Sequence, residues 1–218
     1  MKIKMLAAKL LTPIVLKYRS VWWFLRRRLN IMESVSGNEK LCVVLLSYKR
    51  MRNMCHIVDS LLLCDFVHEI ILSNNNPAVR MEDFIRVRDP RLRIINQSVR
   101  YFPIKRYELA RDLDAEYFLC IDDDLFLTPG QVRKLFMALI ENPAVPHGAI
   151  GQDLIVDGEK IHQDKYMHGK SREVDVIMWA YAFTHEHLLT YFRLLDQLNI
   201  DPADLLSDDV IISFSGKG

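Results

Sequence analysis

Four short apolar runs, each closing on a polar loop, limit what this 218-residue chain can fold into more than any other feature. Leu41 to Leu46 has no polar break, as a strand buried on both faces requires. Met51 to Leu63 follows, with Met54, Ile57, Val58, Leu61 and Leu62 at helical spacing. Glu69 to Leu72, Leu92 to Ile95 and Tyr117 to Ile121 read as three further strands, with Tyr107 to Leu113 a helix ahead of the last. This alternation predicts an α/β fold, a Rossmann-like single domain with a mainly parallel central sheet flanked by helices. The length suits one domain with a substantial core.

Open sheets of this kind gather ligands where loops leave the carboxyl ends of the strands. The four loops read Ser47-Tyr48-Lys49-Arg50, Ser73-Asn74-Asn75, Asn96-Gln97-Ser98-Val99-Arg100-Tyr101 and Asp122-Asp123-Asp124. All four should open on one edge. Together they offer amides for a base, an aromatic ring for stacking, guanidinium for phosphate and carboxylate for a cation, a set that suits a nucleoside diphosphate held with a metal.

The acidic run is the sharpest of these signals. Two carboxylates about 4 Å apart repel by roughly 4 kcal/mol at an effective dielectric of 20. Asp122, Asp123 and Asp124 therefore form either a solvated turn that caps the next helix, or a divalent-cation and nucleotide site. Asp208 and Asp209 make a second acidic feature, which also has two readings. Ser207 could cap a helix with acids in its first turn, which suits the helix dipole. Alternatively a carboxylate faces Asp122 to Asp124 across a cleft.

Between these features the pattern is less regular. Gly148 to Val156 and Val174 to Phe183 read as strands, separated by a loop containing His162 and His168. A helix should run from Thr184 to about Leu198, with Thr184 as N-cap. His187 stands where a capping box takes Glu or Gln, so that box is expected to be incomplete. His185 and His187 are two residues apart, share no helix face, and read as structural or solvent-facing. Met178, Trp179 and Tyr181 read as core, with an aromatic sugar platform as the alternative.

Charge divides the chain at its start. Residues 1–32 hold eight basic residues and no acid, and the remainder carries 21 basic against 28 acidic residues. An acidic remainder argues against nucleic acid, which calls for a basic face on the domain itself. Residues 1–36 read as a basic, amphipathic amino-terminal segment and linker, and 37–218 as the folded domain. Trp22, Trp23 and Phe24 among the basic residues suit a helix lying on an anionic membrane, and a helix packed on the domain is the alternative. Its apolar runs are too short to span a bilayer, and no small-residue cleavage site follows a long apolar core. Cys42, Cys55, Cys64 and Cys120 form no CxxC pair and read as free thiols. The expectation is a cytoplasmic protein, peripheral on the membrane through its amino-terminal segment, with the Golgi or ER lumen as the alternative for a eukaryotic source.

The order of these motifs resembles the nucleotide-sugar glycosyltransferases of GT-A fold, most closely the exostosin-like family 64 domains, over Leu41 to Phe214. The resemblance rests on the strand leading to Ser-Tyr-Lys-Arg, the strand leading to a double Asn and Pro, and the Arg-bearing helix. It continues through Asp-Asp-Asp, the segment Ala180-Tyr181-Ala182-Phe183-Thr184-His185, and Asp-Asp before Val-Ile-Ile-Ser-Phe. It implies that Arg50 and the Ser47-Tyr48 backbone hold the uridine and diphosphate end, that Asn74 or Asn75 meets the base, and that Tyr101 and Arg106 belong to the donor site. Asp122 and Asp123 would contact ribose and donor sugar, with Asp124, aided by Asp122, ligating Mn²⁺ or Mg²⁺ between the phosphates. Asp209, with Asp208 beside it, would face the anomeric carbon and the acceptor hydroxyl.

The implied activity is sugar transfer, hexosyl or N-acetylhexosaminyl, from a UDP-sugar to a glycan or lipid-linked acceptor. Tyr101 stands where the resemblance calls for Asn. The family pattern continues beyond the equivalent of Gly218 with a further phosphate or metal contact, so a truncated or impaired domain is one expectation. A nucleotidyltransferase is another, although Ser47 to Arg52 lacks the glycines that cradle a triphosphate.

Overall fold

The four apolar runs become four adjacent strands of a six-stranded sheet in the computed structural model, which describes residues 39–158, 160–164, 171–202 and 208–216. The amino-terminal segment, the linker, His168 and Ser207 lie outside the described residues. The strands are β1 (Leu41–Ser47), β2 (Val67–Asn74), β3 (Leu92–Asn96), β4 (Tyr117–Asp122), β5 (His147–Gln152), β6 (Leu154–Asp157), β7 (Lys160–Gln163) and β8 (Val176–Thr184). The main sheet runs β3-β2-β1-β4-β8-β5, and β6 and β7 form a separate hairpin. Its first four strands are parallel, whereas β8 runs antiparallel to both β4 and β5. The sheet is therefore mainly parallel, as the sequence predicts.

β1 shows why no polar residue interrupts its run. It lies between β2 and β4, and Leu41 to Leu45 are almost wholly buried. Cys42 and Val44 join one apolar cluster; Leu41, Val43 and Leu45 alternate to the opposite face. The helices are α1 (Met51–Leu62), α2 (Lys105–Arg111), α3 (Pro129–Glu141), α4 (His185–Gln197) and α5 (Asp208–Ser213). α2, α4 and α5 supply Tyr107, Leu188, Tyr191, Leu195, Ile211 and Ile212 to the first cluster. On the other side, α1 is tied to the start of α3 by Ser60 Oγ, which donates to Leu127 O at 2.7 Å.

Two local expectations change. The single strand expected over Gly148 to Val156 is divided at Asp153, because Leu154 N–H donates to Asp175 Oδ2 at 2.7 Å and Arg172 pairs with Asp153. These bonds draw the chain away from the main sheet and into the hairpin, whose turn holds Gly158 at a φ of 60°.

The capping box of α4, expected to be incomplete, is complete. Thr184 Oγ1 accepts from His187 N–H at 3.3 Å, and His187 Nδ1 accepts from Thr184 N–H at 3.2 Å. A neutral imidazole carries one acceptor nitrogen, so it performs the task usually given to Glu or Gln. His187 is buried and structural. The cysteines are free: Cys42, Cys64 and Cys120 are buried, and Cys55 is half-buried. Among the described residues no helix is long and apolar enough to cross a membrane.

Candidate functional site

Strand register brings the predicted loops to one edge. Ser47 lies opposite Asn74, Asn74 opposite Asn96, and Leu46 opposite Asp122, so β1 to β4 end side by side. The three carboxylates at the end of β4 divide between two arginines, Asp122 pairing with Arg106 and Asp123 and Asp124 with Arg50, which offsets part of the repulsion that three adjacent charges imply.

Asp123 turns towards the loop after β1. Its Oδ2 accepts from Tyr48 N–H at 3.1 Å, Arg50 N–H at 3.3 Å and Ser47 Oγ at 3.4 Å. Its Oδ1 accepts from Arg50 Nη1 at 3.2 Å, and its carbonyl accepts from Asn53 Nδ2 at 2.8 Å. With four bonds to one loop and a fifth from Asn53 at the start of α1, Asp123 fixes the Ser47–Arg50 backbone. Asp124 is the outward member: its side chain is 50 % exposed and pairs with Arg50 Nη1 at 3.1 Å.

Asp122 turns the opposite way. Its Oδ1 accepts from Arg106 Nη1 at 2.7 Å, and Arg106 Nε lies 3.2 Å from Asp208 Oδ2. Arg106 itself is buried, with its guanidinium 5.4 Å from the Tyr181 ring centroid. A single cation thus joins the two acidic features. Its Nε also donates to Pro103 O, and Asp208 Oδ2, although close, accepts no hydrogen bond. Burial raises the Asp208 pKa above the ordinary 3.8, with Arg106 opposing the rise. Asp209 is half-buried, and burial raises its pKa too. Its Oδ1 accepts from Val210 N–H at 3.0 Å. Ser213 Oγ donates to Asp209 O at 2.6 Å and accepts from Ile177 N–H at 2.9 Å, which anchors α5 to β8.

The amides sit deeper than a base contact needs. Asn74 is fully buried; its Nδ2 donates to Val79 O and Asn96 Oδ1, and its Oδ1 accepts from Asn76 N–H. It braces the loop, and its polar atoms are already engaged. Asn75 Nδ2 donates to Tyr101 O at 3.0 Å, while its buried Oδ1 has no partner. Tyr101 is 37 % exposed, with Lys105 Nζ 4.8 Å from its ring centroid. Sequence reasoning missed Asn53, and it named Arg100 only as part of its loop, without the contact that puts its guanidinium 4.4 Å from the Tyr48 ring centroid. Neither contact had a signal in spacing, because each depends on how segments distant in sequence fold towards one another.

Among the described residues no three His, Cys, Asp or Glu side chains converge as ligands for a metal. The acidic edge instead offers one outward carboxylate, Asp124. A lone carboxylate with hard oxygen donors fits Mg²⁺ or Mn²⁺ completed by phosphate oxygens, because such ions use one or two carboxylates plus substrate.

A mainly parallel sheet whose strand ends carry loops, paired acids and a buried arginine is an α/β architecture that gathers ligands at that edge. Residues 42–198, more than half of the chain, match the model of glycosyl transferase family 2. The chain belongs to that family, and the GT-A resemblance holds at this level.

Among solved structures, a 4-diphosphocytidyl-2C-methyl-D-erythritol synthase from Anaerococcus prevotii is similar with a TM-score of 0.55 and 16 % identity, over 81 % of this chain and 82 % of that one. A CMP-2-keto-3-deoxy-manno-octonic acid synthetase complexed with CTP gives 0.50 and 13 %, over 74 % and 85 %. A mannosyltransferase from Pyrobaculum calidifontis in complex with GDP-Man and Mn²⁺ gives 0.51 and 12 %, over 95 % and 60 %. At these identities the likeness is one of fold. No curated protein sequence matches.

Proposed function

We propose that this domain transfers a sugar from a nucleotide-sugar donor, a UDP-sugar by the residue resemblance, to a hydroxyl of a glycan or lipid-linked acceptor. The observation that carries the reading is Arg106, buried between Asp122 and Asp208, which links the two acidic features at the edge where β1 to β4 end. Family 2 membership supports transfer of a sugar, and the Mn²⁺ and GDP-Man of the mannosyltransferase neighbour support a metal-assisted donor site. The exostosin-like family 64 likeness contributes the finer residue roles. The nucleotidyltransferase reading gains only the shared fold of two neighbours.

In this reading the Ser47–Arg50 loop, fixed by Asp123, binds the nucleotide through backbone and Arg50. Asn75 offers its unpartnered Oδ1 to the base edge, whereas Asn74 shapes that loop from behind. Asp124 would hold Mn²⁺ or Mg²⁺ shared with the donor phosphates, and the bound ion would supply Lewis-acid stabilisation of the leaving diphosphate. Arg106 orients Asp122 and Asp208 and adds fixed positive charge near the departing oxygen. Asp209 faces the anomeric carbon: as a base on the opposite side it gives inversion, and as an electrostatic partner of an oxocarbenium-like centre it permits retention.

Asp124→Ala tests the metal assignment. The variant should keep its melting temperature and lose any strengthening of UDP binding by Mn²⁺. The same strengthening in the variant would contradict the assignment.

Residues 1–32 complete the proposal as a tether to anionic membrane, on their basic and aromatic composition. Their removal should release the protein from anionic vesicles in a co-sedimentation assay, and undiminished sedimentation would contradict a tether.

A further inference from the structure

Trp179 interrupts the regular pairing of β8. Between the pairs Gly148 with Tyr181 and Ile150 with Met178, β5 advances by two residues and β8 by three. β8 therefore carries one extra residue there, a β-bulge. Within it Trp179 has a φ of 72°, the left-handed region that costs a bulky residue about 1–2 kcal/mol. Bulges re-aim side chains beside active sites, and strain of this kind persists where its surroundings impose it.

The place of the bulge gives it meaning. β4 and β8 pair antiparallel as far as Ile121 with Ala180, so Trp179 comes next, level with Asp122. Two residues along β8 in one direction, Tyr181 lies against the Arg106 guanidinium. Two residues in the other direction, Ile177 is bonded to Ser213 of α5, the helix that begins with Asp208 and Asp209. Trp179 thus lies on the stretch of β8 that neighbours the end of β4 and is tied to α5, and it is 37 % exposed while Ala180 and Tyr181 beside it are buried. A large, flat, rigid ring at a polar edge offers an apolar face next to hydrogen-bonding groups.

We infer that Trp179 is the stacking platform for a pyranose ring at this site. The C–H face of the sugar covers the indole, and its hydroxyls turn to the carboxylates. The inference rests on the sugar-transfer reading and deepens it, because it assigns a residue to ring recognition.

The protein contains three tryptophans, Trp22, Trp23 and Trp179, so a W22F/W23F form of the full chain has one fluorophore. With UDP and Mn²⁺ present, the methyl pyranosides of glucose, galactose and mannose are titrated in turn, with sorbitol as a ringless polyol. In a separate arm UDP-glucose, UDP-galactose and UDP-N-acetylglucosamine are each compared with UDP.

A saturable fluorescence change with a free pyranoside, absent with sorbitol, assigns the platform to an acceptor ring. A change specific to a UDP-sugar assigns it to the donor ring. No saturable change in either arm, while calorimetry still registers UDP, overturns the platform and leaves the transferase reading standing; loss of UDP binding itself would count against both. Trp179→Gly separates recognition from packing, because glycine adopts the same φ without strain. Its melting temperature should be no lower than that of the parent. A fall of about 5 °C or more would make Trp179 a packing residue and overturn the inference.

Discussion

Arg106→Ala should destabilise the fold by about 3–5 kcal/mol, the usual cost of leaving a buried charge without its partner. The substitution strands Asp122, which loses its 2.7 Å bond, and Asp208, whose side chain is only 8 % exposed. It also removes a cation from the Tyr181 ring. The deficit should depend on pH. Burial already lifts the Asp208 pKa above 3.8, so that its contribution is present at low pH and is lost as pH rises through the folded value. Without Arg106 the folded value rises further. The deficit is therefore largest near neutrality and narrows in acid. Urea denaturation of parent and variant across that range reads it directly. A loss below about 1 kcal/mol at neutral pH would show that Arg106 does not hold the two acids together.

Asp209→Asn should act on chemistry instead. The amide keeps the volume and loses the charge, so UDP binding should stay near the parental value while turnover falls by about 10²–10⁴-fold, the range for a positioned acid or base. In the proposed reaction Asp209 would act ionised in either stereochemical course. Because burial lifts its pKa above 3.8, parental turnover should fall as pH drops through that raised value, and the variant should lack this limb. Initial rates beside calorimetric UDP affinity separate the two effects. Turnover within about tenfold of the parent would remove Asp209 from the reaction.

The sheet was legible because β1 and β4 lie inside its parallel part and leave an unbroken apolar record, whereas β2 carries His68 and Glu69 and the edge strand β3 carries Arg93. The roles within Asp122-Asp123-Asp124 were not, because consecutive residues at a turn point in different directions. Their partners, Arg106 and the Ser47–Arg50 loop, are far away in sequence. Asn74 illustrates a second limit. An amide suits a base edge and a loop brace equally well, and only its burial and its bonds to Val79, Asn96 and Asn76 assign it to bracing. His187 completed a capping box that a search for Glu or Gln would pass over, since what the backbone needs is an acceptor. Trp179 sits in a run that reads as regular strand, and its bulge follows from a residue count in β5, a strand placed well before it.

The central claim is a metal-assisted nucleotide site on the edge where β1 to β4 end. Calorimetric titration of UDP into the full chain, once with Mn²⁺ and once with chelator, tests it most directly. The account predicts affinity at least about tenfold higher with Mn²⁺, equivalent to about 1.4 kcal/mol. Equal affinity under the two conditions, or no UDP binding in either, would contradict it.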